Sequence, residues 1–264
     1  MIAADSWGDS RGPLVLLSHG VGQTRHSWRN TGKLLGSCGY FVVAYDARGH
    51  GDSSWPSNGD YSRMAMIHDM RSIIKKLGKN NPALVGASMG GAASMVAVGE
   101  GFLEASALVL VDIAPHIESN GLSRINAFME KNVDGFTSLE EVAAAIQKYS
   151  PRKNNDRNLD GLAKNVRFGE DGRYYWHWDP RLSARERDST ARRVAAAKNL
   201  SLPTLLVRGA KSDVVSQAGV DQFLSICPHA EYVNLQGARH MVAGDKNDIF
   251  GAAIIDFLSR KLCL

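Results

Sequence analysis

The chain is poor in cysteine. Cys38, Cys227 and Cys263 are the only three in 264 residues. Their number is odd, their spacing is wide, and they form no C-x-x-C pair, which excludes a disulfide framework and the usual zinc modules and fits a reducing cytoplasm. No apolar stretch approaches the roughly 18 residues that cross a bilayer. Nor does a basic segment followed by an apolar run open the chain as a signal peptide would, so a soluble, non-membrane protein is expected. Charge of one sign is also missing, because 31 Lys and Arg stand against 27 Asp and Glu, a net charge of +4. Arg181, Arg185, Arg187, Arg192 and Arg193 cluster, but Glu186 and Asp188 interleave them, and the stretch reads as a solvated helix face with no nucleic-acid motif beside it. A P-loop, a dinucleotide fingerprint and metal-ligand spacing are likewise absent. No cofactor, metal or nucleic-acid partner is therefore expected.

What is present suits one substantial core: 44% of the residues are hydrophobic, and strand-like runs alternate with helix-like ones, the pattern of a mostly parallel sheet covered on both faces. Four of these runs lead into chemically suggestive residues. Gly86-Ala87-Ser88-Met89-Gly90 follows the apolar Ala83-Leu84-Val85 and precedes a small-residue helix, the strand-turn-helix setting of a G-x-S-x-G nucleophile elbow. Asp213 comes shortly after the strand Thr204–Gly209. Asp112, at the end of Leu108-Val109-Leu110-Val111, is the other carboxylate in a comparable position. His240 follows the alternating strand Glu231–Leu235. A serine hydroxyl needs an imidazole to take its proton and a carboxylate to orient that imidazole, and the order Ser, Asp, His supplies all three.

Two further landmarks complete a resemblance that spans nearly the whole chain. Ser18-His19-Gly20-Val21 follows the strand Leu14–Leu17 and is trailed by Trp28. Asp46-Ala47-Arg48-Gly49-His50-Gly51-Asp52-Ser53 follows the strand Phe41–Tyr45. Together with the elbow they resemble the α/β-hydrolase family, in its capped, serine esterase-like branch. The resemblance implies a mostly parallel central sheet with helices on both faces and a helical cap inserted after the sixth core strand. It assigns Ser88 as nucleophile, Asp213 as orienting acid, with Asp112 as the alternative, and His240 as base. The backbone N–H groups of Val21 and Met89 become the oxyanion hole. His19 and His50 are read as loop supports. Only Ile2 to Trp7 precede the first parallel strand, where the family usually has an antiparallel hairpin, so an edge strand is expected to be missing.

Residues 1–115 and 201–264 would form the core and 116–200 the cap, a stretch too long for a simple connection. Ser138 and Glu141 form a capping box ahead of the apolar positions Val142, Ala145 and Ile146, and another helix carries Ile125, Phe128 and Met129. Pro151 to Asp160 is polar and turn-rich, and aromatics concentrate at 174–178. Trp28, Phe128, Trp176, Trp178 and Met241 are the expected pocket residues. Hydrolysis of a small to medium, largely apolar carboxylic ester is the expected reaction. Carbon-carbon bond hydrolysis, lactonase and cofactor-free perhydrolase chemistry use the same three residues and stay open. So does a ligand receptor built on the same fold. Nothing in the sequence bears on oligomeric state.

Overall fold

The strands β2 (Leu14–Ser18), β3 (Phe41–Tyr45), β4 (Ala83–Ala87) and β5 (Ala107–Val111) are continuous runs of small and apolar residues, and every residue in them is buried. Such runs belong to a parallel sheet covered on both faces. In the computed structural model, which describes residues 1–149, 163–240 and 247–262, they form the centre of a seven-stranded sheet. The sheet also contains β1 (Ala4–Trp7), β8 (Thr204–Gly209) and β9 (Glu231–Leu235), in the order β1-β3-β2-β4-β5-β8-β9. The edge strand β1 runs antiparallel to β3, and all other pairings are parallel. An antiparallel edge strand is thus present in the short segment before β2.

Alternation along each strand sends side chains to opposite faces. Leu14 and Leu16 join one core with residues of α2 (Arg63–Lys76), α3 (Met89–Gly99), α6 (Thr190–Lys198) and α7 (Gln217–Ile226). Val15 and Leu17 join the other with Leu35 of α1 (Arg29–Ser37) and Ile254 and Phe257 of α8 (Gly251–Leu262). Serine hydroxyls close the first turns of three helices, Ser62 to Ala65 N, Ser189 to Arg192 N and Ser216 to Gly219 N, at 3.1–3.2 Å, each capping an otherwise orphaned donor. At α3 the N-cap residue is Ser88, and its side chain makes no capping bond.

Between β5 and β8 the chain leaves the sheet. Counted along this chain the insertion follows the fifth strand, because one antiparallel strand precedes the parallel run. It contains α4 (Ser119–Met129), α5 (Leu139–Tyr149), the hairpin β6 (Val166–Phe168) and β7 (Tyr174–Trp176), a 3-10 turn at Pro180–Ala184, and α6. The serine half of the capping box forms as expected, with Ser138 Oγ accepting from Glu141 N at 3.3 Å, while the Glu141 carboxylate reaches one residue further back than the box requires and accepts from Thr137 N at 2.7 Å. The turn-rich stretch from Pro151 to Asp160 lies outside the described residues. Not all of 116–200 stands away from the sheet. The helix α6 lies against α3 so closely that a Cβ on Gly99 would overlap the Ala196 carbonyl oxygen.

Aromatic rings pack the insertion. Trp176 and Trp178 stack with centroids 4.6 Å apart, and Phe128 lies 4.6 Å from Tyr149 and 5.3 Å from Trp176. The segment after β7 is joined to the turn after β3 by backbone bonds from Gly51 N to His177 O (2.7 Å) and from Asp179 N to Gly49 O (2.8 Å). Tyr61 OH donates to Asp179 Oδ2 at 2.5 Å beside them.

Candidate active site

Ser88 occupies a sharp turn between β4 and α3 with φ 45° and ψ −109°, a region that non-glycine residues rarely enter and that costs roughly 1–3 kcal/mol. Small neighbours make the turn possible. A Cβ on Gly90 would come within 2.6 Å of Ser18 Cβ, one on Gly91 within 2.5 Å of Gly86 O, and one on Gly20 within 3.3 Å of Ser88 Cβ. The last of these puts the loop after β2 directly against the serine.

Ser88 N donates to Val111 O at 3.0 Å, and the carboxylate that meets His240 is that of the next residue, Asp112. His240 Nδ1 donates to Asp112 Oδ2 at 2.7 Å, and both residues are 2% exposed. A carboxylate only accepts, so the bond puts the ring proton on Nδ1 and leaves Nε2 as the acceptor. Asp112 is itself held in the left-handed region at φ 51° and accepts from Gly209 N (3.2 Å) and Ser212 Oγ (2.8 Å). Asp213, the sequence expectation, is turned elsewhere. Its loop packs on the start of α4, where Val214 O accepts from Glu118 N at 2.9 Å. Its carboxylate, 30% exposed, pairs with Arg124 on that helix at 3.1 Å.

The loop after β2 is braced from both sides. His19 Nε2 accepts from Ala47 N at 2.9 Å while Nδ1 donates to Gly20 O at 2.7 Å. His50 Nε2 accepts from Gly22 N at 3.2 Å while Nδ1 donates to Arg48 O at 3.2 Å. These roles require neutral rings, and burial pushes both imidazoles down, His50 well below the ordinary value. Gly20 N donates to Gln23 Oε1 (3.0 Å) and Gln23 N to Gly20 O (3.2 Å). The loop's own bonds therefore use Gly20, Gly22 and Gln23 and pass over Val21. Asp46 anchors the following turn by accepting from Arg25 N at 2.6 Å and from the Arg25 guanidinium.

The expected pocket residues fall into three groups. Phe128, Trp176 and Trp178 share one buried cluster with Val21 and Met89, and Trp178 lies 3.6 Å from where a Gly22 Cβ would stand. Trp28 does not belong with them. It is fully buried on the opposite face of the sheet, with Leu35 and Phe250. Met241 lies outside the described residues. The arginine run is also more than a solvated helix face. Arg193 is buried with Nε on Pro115 O at 2.8 Å, and Arg185 and Arg187 precede α6 and are half-buried. Sequence reasoning missed these because the 3.6-residue helical period does not apply to an extended segment.

The elbow, the carboxylate-bound histidine and the braced loop lie at the carboxyl ends of parallel strands, where open α/β sheets bind ligands. Residues 13–246 match the family model described as the alpha/beta hydrolase fold, and the chain belongs to that family. It is 28% identical over 257 residues to a 3-hydroxybutyrate-oligomer hydrolase of Cupriavidus necator, covering 90% of this chain and 86% of that protein. An esterase of Mycobacterium tuberculosis is 26% identical over 251 residues, covering 93% and 82% of the two chains. A solved structure of a putative hydrolase from Rickettsia typhi superposes with a TM-score of 0.85 at 21% identity, covering 98% of this chain and 91% of that one, a likeness of fold. The chain is thus a hydrolase-fold protein with hydrolases and esterases among its relatives. Among the described residues no helix is long and apolar enough to cross a membrane.

Proposed function

We propose that the protein is a serine hydrolase that cleaves a carboxylic ester of a small to medium, largely apolar substrate. The observation that carries this reading is the buried His240–Asp112 bond beside a serine in the strained elbow conformation, a pairing that fold maintenance does not require. In the reaction, Ser88 Oγ attacks the ester carbonyl as its proton passes to His240 Nε2, and the negative charge on the carbonyl oxygen is met by the N–H groups of Val21 and Met89. The alcohol then leaves with the proton from His240. A water, deprotonated by the same nitrogen, attacks the acyl-enzyme and releases the acid, restoring Ser88. Asp112 holds the ring tautomer and balances the imidazolium. The aromatic cluster of the insertion supplies the apolar wall, and the curated esterase relative supports ester as the bond class.

Intact-mass measurement after treatment with a fluorophosphonate tests nucleophile activation without choosing a substrate. One adduct is expected on the wild type and none on Ser88→Ala or His240→Ala. A folded wild type that takes up no adduct overturns the reading in favour of a binding module.

A further inference from the structure

The stretch between the 3-10 turn and α6 holds more positive charge than its surroundings neutralise. Arg185 Nη1 donates to Leu182 O at 2.6 Å, and Arg187 donates to Asn126 Oδ1 on α4, so both guanidinium groups rest on neutral acceptors. Among the described residues neither forms an ion pair, and Arg187 Nε is buried without an acceptor. The buried acid in the stretch, Asp188, is already taken: Oδ2 accepts from Arg63 Nε at 2.6 Å and Oδ1 from Arg192 Nη1 at 3.1 Å. Arg193 is committed to Pro115 O and Thr190 Oγ1. Arginines elsewhere show the contrast, with Arg181 on Asp179, Arg192 on Glu100 and Arg260 on Glu231.

The location gives this imbalance a meaning. Arg63 Nη1 donates to Met89 O at 3.1 Å, one residue beyond Ser88. His50 Nε2 holds Gly22, one residue beyond Val21. Arg185 lies within electrostatic reach of both. Burial, with the like charges of Arg187 and Arg63, pulls it down to about 9, and its own charge helps keep His50 neutral. It therefore stays cationic at neutral pH. Glu130 acts on Arg187 from beyond ion-pair distance, whereas the charges that pull on Arg185 are two other arginines; a half-buried cation so placed is costly, and a planar guanidinium fork is shaped for a carboxylate from outside the chain. Asn126, the acceptor of Arg187, shares its helix with Phe128, whose ring lies 6.1 Å from that of Trp178, an apolar surround that favours an alkyl spacer over a more highly charged group.

We propose that Arg185, supported by Arg187, receives a carboxylate carried by the substrate, so that the preferred ester has an apolar acyl chain ending in a free acid. This rests on the hydrolase reading above and narrows its substrate class. It is tested with two esters of equal chain length, the 4-nitrophenyl monoester of adipic acid and neutral 4-nitrophenyl hexanoate. Wild type is expected to have the higher kcat/KM on the anionic ester. Arg185→Gln should lower the ratio of the two kcat/KM values roughly 10- to 100-fold, mainly through KM, and Arg185→Lys should retain part of it. A wild-type ratio below one, or an unchanged ratio in Arg185→Gln, overturns the inference. Free adipate gives a second readout that needs no variant: it should compete with the neutral ester, whereas chloride at equal ionic strength should not, and equal effects count against the site. Fluorophosphonate labelling of the same preparations separates the failures, since a labelled enzyme without acid preference sinks only this inference and an unlabelled one sinks the hydrolase reading.

Discussion

Asp112 spends three hydrogen bonds and an unfavourable backbone conformation on facing His240. Replacing its carboxylate with an amide keeps the shape and removes the ability to fix the ring tautomer, so Asp112→Asn should lower kcat by about 10⁴. Asp213→Asn, which loses only a partly exposed pair with Arg124, should stay within a few-fold of wild type, since such pairs are worth about 0–1 kcal/mol. Measuring kcat of both variants decides between the two acids. The sequence left this choice open for a physical reason: both carboxylates follow strands whose ends point to the same cleft. The loop after β8 does converge there, yet it contributes donors, Gly209 N and Ser212 Oγ, rather than an acid. The two loop histidines make a different prediction. As pH falls through the unfolded imidazole value near 6.5, the unfolded chain binds protons that buried neutral His19 and His50 refuse. Stability is therefore lost toward acid, at up to about 1.4 kcal/mol per pH unit for each ring. Urea midpoints at pH 7.5 and 5.5 should show a smaller drop in His50→Gln than in wild type, and equal drops would contradict the neutral-ring assignment.

At the scale of elements, α3 is where sequence and packing meet most directly. Its small residues, Gly90-Gly91-Ala92-Ala93, let it approach β4 closely enough to present Ser88, and its far end accepts α6 at Gly99. Gly99→Ala gains about 1 kcal/mol of helix propensity but drives a methyl group into the Ala196 carbonyl, which no side-chain rotation can relieve. Overpacking of about 1–3 kcal/mol should win, and a urea midpoint equal to or above wild type would show that α6 shifts freely. The parallel strands were legible because burial on both faces leaves unbroken apolar runs, and the helices α4 and α5 because their apolar positions and capping box are local. Trp28 was misread as a pocket residue because a ring's chain position does not say which face of the sheet it will occupy. Arg185 and Arg187 were misread because alternation with Glu186 and Asp188 resembles a wet surface until the fold folds that segment inward.

Across the whole molecule, insertion and core are held together where Tyr61, Asp179 and Arg181 meet. Asp179 is 2% exposed, so Tyr61→Phe takes a donor from a buried carboxylate and should cost about 1–3 kcal/mol. Lower urea midpoints with faster protease cleavage between residues 116 and 189 are expected, and unchanged values for both would mean that this junction bears no load. The neighbouring backbone bonds, Gly51 N to His177 O and Asp179 N to Gly49 O, carry a kinetic consequence. They stitch the insertion to the turn whose His50 holds Gly22, and Trp178 rests on that glycine. Displacing the insertion here would break both of these bonds and strip Trp178 from Gly22 together, so the backbone beside Val21 is expected to keep its shape for as long as the seam holds, which amide hydrogen exchange at Gly51 and Asp179 would report.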